Sequence, residues 1–202
     1  MQTMRNQIVK RIDRFGPGKA FSAKDFLDIA NRTTIDVALA SLTSDGKIRR
    51  IQRGLYDMPR VNPALGGKLS PDIDEAAQAI ARRQRWKIVP EGAWAANLLG
   101  LSTQVPSKII YLTDGPSKEV EIGRRSIHFK HARPKAMAGL EGKLALVVQA
   151  LRHVGKESVG TREIETLQAR LSPQERRRLL KDTRFSVDWI YEVAKRIAEK
   201  SA

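Results

Sequence analysis

The chain has 202 residues, with 37 Lys and Arg against 22 Asp and Glu, a formal net charge of +15. It contains no cysteine, which excludes disulfides, a thiol nucleophile and thiolate metal ligation. The charge implies a polyanionic partner such as DNA or RNA, and no apolar run approaches a membrane span or a signal peptide, so a cytoplasmic protein without membrane contact is expected.

The basic surplus is spread along the chain. Residues 1–60 carry 12 basic and 6 acidic side chains, and residues 61–202 carry 25 and 16. Both parts are therefore candidates for contact with nucleic acid or an acidic protein.

From the N-terminus, Gln7 to Phe15 places Ile8, Ile12 and Phe15 at helical spacing, and Gly16-Pro17-Gly18 stops that helix. Lys19-Ala20-Phe21 reads as a short strand. Ser22 with Asp25 three residues on resembles a capping box, and the helix it opens is expected to bury Phe26, Leu27 and Ile29. Asn31 breaks that helix, and a further one runs from about Arg32 to Thr43 with Ile35, Ala38, Leu39 and Leu42 on its apolar face. The opposite face holds Thr33, Asp36, Val37, Ala40 and Ser41. Such small side chains let a helix backbone approach base edges closely, with methyl groups available to thymine.

Asp45-Gly46 then marks a turn, and two short strands around Gln52-Arg53-Gly54 make a hairpin. Helix, helix, turn and basic hairpin in this order are the plan of a winged helix-turn-helix. On that plan Thr33, Thr34, Asp36, Val37 and Ala40 face bases, while Ser22, Lys24 and Arg32 hold phosphates near helix N-termini. Lys47, Arg49, Arg50, Gln52 and Arg53 form the wing contact to phosphates or the minor groove. Residues 1–60 are read as this DNA-binding domain, and residues 61 to 67 as a linker or a basic-poor arm packed on its surface.

Residues 61–202 are read as an α+β domain with a small antiparallel sheet and C-terminal helices. A helix starts at Ser70-Pro71-Asp72, with Ser70 as N-cap. Strands are expected at 86–90, 108–113, 118–122 and 126–130, and a small-residue helix at 92–99. Helices follow at 140–154, 162–171, 173–182 and 187–199. Two basic runs, Arg82, Arg83 and Arg85, then Arg176, Arg177, Arg178 and Lys181, are candidates for a C-terminal basic surface. His128 and His131 have no carboxylate cluster nearby in sequence, and His153 suits a helix C-terminus. No Walker loop or nucleophile elbow occurs, so neither catalysis, a metal nor a cofactor is expected.

Three segments carry a resemblance: FSAKDFLDIANRTTIDVALASLTSDGKIRRIQRGLYDMPR (residues 21–60), GAWAANLLGLSTQVPSKIIYLTDGPSK (92–118) and LVVQALRHVGK (146–156). They resemble AbiEi-type antitoxins of abortive-infection (type IV) toxin–antitoxin systems, most specifically over Asn97 to Ser117. The resemblance implies a transcriptional autorepressor that binds operator repeats in double-stranded DNA. It also implies a C-terminal domain that counteracts a nucleotidyltransferase-type toxin, without requiring a stable complex with it. An orphan regulator, an RNA-binding factor acting through the basic C-terminal domain, or an antitoxin acting by protein contact alone would share these features.

Overall fold

The computed structural model describes residues 4–133 and 142–199. The fold is α+β: eight α-helices and small sheets among the described residues. Packing divides the chain into two compact units. Unit 1 comprises residues 1–86 with 119–127, and unit 2 comprises 87–118 with 128–202.

Unit 1 begins with α1 (Met4–Phe15), which buries Ile8 and Ile12. Strand β1 (Ala20–Phe21) leads into a single 3-10 turn, Ala23–Phe26, where a longer helix was expected. Asp25 explains the tightness: its carboxylate accepts from both the Ser22 N–H (2.7 Å) and the Ser22 hydroxyl (3.0 Å), closing the chain on itself. Phe26 is buried, but Leu27 is half-exposed instead of joining the core. Helix α2 (Arg32–Ser44) follows, then β2 (Arg49–Gln52) and β3 (Leu55–Asp57). The three strands form an antiparallel sheet in the order β1-β3-β2.

The core of this region joins Ile8, Ile12, Phe21, Phe26, Ile35, Leu39, Leu42 and Ile48. Phe15, Phe21 and Phe26 meet at centroid distances of 5.6 to 6.0 Å, and Tyr56 stacks on Phe21 at 6.4 Å. Aromatic pairs at these separations add to the burial of their area.

The segment expected to be a linker is a small hairpin, β4 (Val61–Asn62) and β5 (Gly67–Lys68), around a 3-10 turn. Helix α3 (Ile73–Gln84) starts with Asp72 as N-cap, not Ser70, because the Asp72 carboxylate accepts from the N–H groups of Asp74 and Glu75. It buries Ala76, Ala77, Ile80 and Ala81 and lies against β1 and β3. The first compact unit therefore runs past residue 60, where the sequence places a boundary.

The later strands β6 (Ile88–Pro90), β7 (Ile109–Thr113), β8 (Lys118–Ile122) and β9 (Arg125–His131) form a sheet in the order β6-β7-β9-β8. Strands β6 and β7 are antiparallel, with Val89 opposite Leu112. In unit 2, α4 (Gly92–Leu98) packs on α5 (Gly142–Val154). The expected helix start at residues 140–141 lies outside the described residues. Helices α6 (Thr161–Arg170), α7 (Pro173–Asp182) and α8 (Asp188–Ala198) complete the unit. Its core runs from Ala95, Ala96 and Leu99 through Val147, Val148 and Leu151 to Leu167, Leu179, Ile190, Ala194 and Ile197. No helix of the described residues is long and apolar enough to cross a membrane.

Candidate nucleic-acid interface

Asn31, read from the sequence as a helix breaker, is the N-cap of α2: its side chain accepts from the Thr34 N–H at 3.0 Å. Ile35, Ala38, Leu39 and Leu42 turn into the core. Thr33, Asp36, Val37 and Ala40 are left exposed and Thr34 partly so, with Val37 65% accessible. Four residues of the sequence-derived outward face are thus exposed, while its fifth, Ser41, is half-buried. Arg32 is also exposed, but its Nε donates to Asp36 Oδ2 at 2.8 Å. This i,i+4 pair neutralises the one acid of the face and contributes little stability.

The hairpin divides its basic residues into two kinds. Arg49 is structural. It stands opposite Asp57 in the strand register, and its Nε and Nη2 donate to the two carboxylate oxygens at 3.0 and 2.6 Å. Its Nη1 also donates to the Leu69 carbonyl at 2.9 Å. The Asp57 side chain is 2% exposed, so the guanidinium is the counter-ion of a buried carboxylate and not a free phosphate ligand. Arg50 and Arg53 are exposed and have no carboxylate partner among the described residues. A register shift between Arg50 and Gln52 and a left-handed Gly54 (φ 71°) shape the tip that carries them. Gln52 is only partly exposed. Lys47 is exposed, with its ammonium 3.9 Å from Asp13.

Three basic residues of unit 1 hold the hairpin and its sheet from behind. Arg83 on α3 donates to the carbonyls of Arg53 (3.2 Å) and Gly54 (3.4 Å). Lys24 donates in turn to the Arg83 carbonyl at 2.8 Å. Arg82 donates to the Ala20 carbonyl at 2.8 Å and lies 3.5 Å from Asp25. Arg82 and Arg83, grouped by sequence with a C-terminal basic surface, belong instead to unit 1 and are engaged there. Arg85 is exposed and closes α3 in a left-handed conformation (φ 60°). Ser22 is 2% exposed and bonded to Asp25, so its hydroxyl does not reach a phosphate.

The second basic run also separates. Arg176 caps α6, donating to the carbonyls of Leu171 (3.1 Å) and Gln168 (2.5 Å). Arg178 pairs with Asp182 at 3.3 Å. Arg177 and Lys181 remain exposed without a carboxylate partner among the described residues. Of the histidines, His131 is held by the Gly115 carbonyl at 2.9 Å. Among the described residues no group of three His, Asp or Glu is placed to hold a metal.

Asp57 is a residue that sequence reasoning missed, and Arg83 is one whose role it did not foresee. Asp57 had a signal. It alternates with Leu55 at buried positions of β3, and a carboxylate there requires a cation across the hairpin. The role of Arg83 had no local signal, because its acceptors are backbone carbonyls about thirty residues away.

A comparison with curated proteins finds no match. One family model matches residues 7–179, which includes α2, the hairpin, α3 and most of unit 2. The chain belongs to that family, DUF6088, a family of unknown function.

Proposed function

We infer that the chain is a DNA-binding transcriptional autorepressor, whose first unit acts as a winged helix-turn-helix. One observation carries the reading: α2 presents an exposed, small-residue face, and the hairpin directly after it carries Arg50 and Arg53 with no carboxylate partner among the described residues. A helix of this kind approaches base edges in the major groove, and un-neutralised arginines on an adjacent hairpin meet phosphates. The resemblance of residues 21–60, 92–118 and 146–156 to AbiEi-type antitoxins supports an operon-autoregulating antitoxin, with unit 2 counteracting a nucleotidyltransferase-type toxin. Footprinting of the DNA upstream of its own gene tests the regulatory part. Protection of repeated half-sites is expected, and uniform weak protection of any duplex would overturn it.

A second reading, RNA binding through unit 2, is favoured by the exposed Arg177 and Lys181, one helical turn apart on α7. Competition between upstream duplex and structured RNA separates the two. Displacement of the duplex by equimolar RNA favours the second reading.

A further inference from the structure

A cleft of about 410 Å³ opens in unit 2 between the start of α4, β7 and the end of α5. Its size lies within the range of small-ligand sites, roughly 300–1,000 Å³. Lys108, Arg152 and His153 line it together with Glu91, Trp94 and Ile110. Lys108 and Arg152 are exposed and have no carboxylate partner among the described residues. Glu91, the one carboxylate of the lining, lies 3.8 Å from Lys130, so the cleft keeps an excess of positive charge.

The rest of the lining is held in place. The Trp94 indole N–H donates to the Tyr111 hydroxyl at 2.8 Å, in a buried pair. Gly92 has φ +38°, a backbone conformation that favours glycine, and the His153 imidazole lies beside it. Two cations and an imidazole beside an apolar wall, with one carboxylate to accept from a hydroxyl or amino group, match the parts of a nucleotide.

We propose that this cleft binds a nucleotide phosphate monoester: Lys108, Arg152 and His153 take the phosphate, Trp94 and Ile110 cover the base or sugar, and Glu91 accepts from the nucleoside. The same chemistry is offered by a free mononucleotide and by the 5′-phosphorylated end of a single strand.

Calorimetric titration of the full chain with AMP, with inorganic phosphate and with a 5′-phosphorylated single-stranded oligonucleotide tests it. Saturable 1:1 binding of AMP, the oligonucleotide or both is expected. The tighter of the two identifies the natural source. Arg152→Ala and Lys108→Ala should each weaken binding at least tenfold with unchanged circular dichroism, and Arg152→Lys should recover part of the loss. Absence of saturation at millimolar nucleotide, equal affinity for inorganic phosphate and AMP, or indifference to both alanine substitutions would overturn the proposal. Duplex binding by unit 1 is read separately, so its failure is distinguishable from failure of the cleft.

Discussion

Arg49 and Asp57 face each other across the hairpin and share two hydrogen bonds, at 3.0 and 2.6 Å, with the carboxylate almost wholly buried. The pair locks the base of β2 onto β3, and through the Leu69 carbonyl it also fastens the chain leading into α3. A residue that looks from sequence like part of a DNA-contacting row is thus the clasp that holds the row in place.

Breaking this clasp should cost stability before it costs recognition. Arg49→Ala leaves Asp57 buried and unpaired, a change worth up to about 3–5 kcal/mol for fully buried pairs. Because the Arg49 side chain is 29% exposed, water offsets part of this, and a loss of roughly 2–3 kcal/mol is expected. Urea denaturation measures it. A change within about 0.5 kcal/mol would show that the pair is not structural.

Arg83→Ala should act on the hairpin tip from a distance. The substitution removes donors to the Arg53 and Gly54 carbonyls, a loss of about 1 kcal/mol. Amide exchange around Arg53 and Gly54 should accelerate, and DNA affinity should fall although Arg83 itself is engaged with the protein. Unchanged exchange at the tip would refute this positioning role.

Val37→Ala should alter sequence preference without altering stability. Val37 is 65% accessible, so its methyl groups are free to meet a thymine methyl group. Binding-site selection should lose preference at one A·T position while the thermal midpoint stays constant. An identical selected site would remove Val37 from base contact.

Acid should loosen unit 1 at α1. Arg11 donates to both oxygens of Asp28 at 2.5 and 2.7 Å, and this hydrogen bonding holds the Asp28 carboxyl below its ordinary value of 3.8. A carboxyl depressed in the folded state contributes stability that is present above its unfolded pKa and is lost as pH falls through the folded value. Asp28→Asn should therefore lower stability near neutrality and flatten the acid limb of stability against pH below about 4, so that variant and wild type converge in acid. A steeper limb in the variant would contradict the sign.

Most element positions were legible in the sequence because their signals are local. The apolar spacing of Ile35, Ala38, Leu39 and Leu42 defines α2, and Ser172-Pro173 with Glu175 marks the start of α7, where the Ser172 N–H bonds the Glu175 carboxylate. The exposed α2 face followed directly from that periodicity. What stayed hidden depends on partners distant in sequence. Nothing local in Ala76, Ala77 and Ile80 says that α3 covers β1 and β3, which is why the first unit extends beyond Pro59. Nor does a run of arginines reveal which members bind carbonyls, as Arg82, Arg83 and Arg176 do, and which have no carboxylate partner among the described residues, as Arg50, Arg53 and Arg177. The 3-10 turn at Ala23–Phe26 escaped because Asp25 closes it by side-chain bonding that competes with a regular helix.

The central claim, duplex recognition by α2 and the following hairpin, is tested most directly by fluorescence anisotropy. Affinity for labelled upstream DNA is measured across a salt series for the wild type, Arg50→Ala and Arg53→Ala. Each substitution should leave folding intact, weaken binding to all sequences and make the slope of log affinity against log salt shallower by about one. Equal affinity and equal slope in all three proteins would contradict the account.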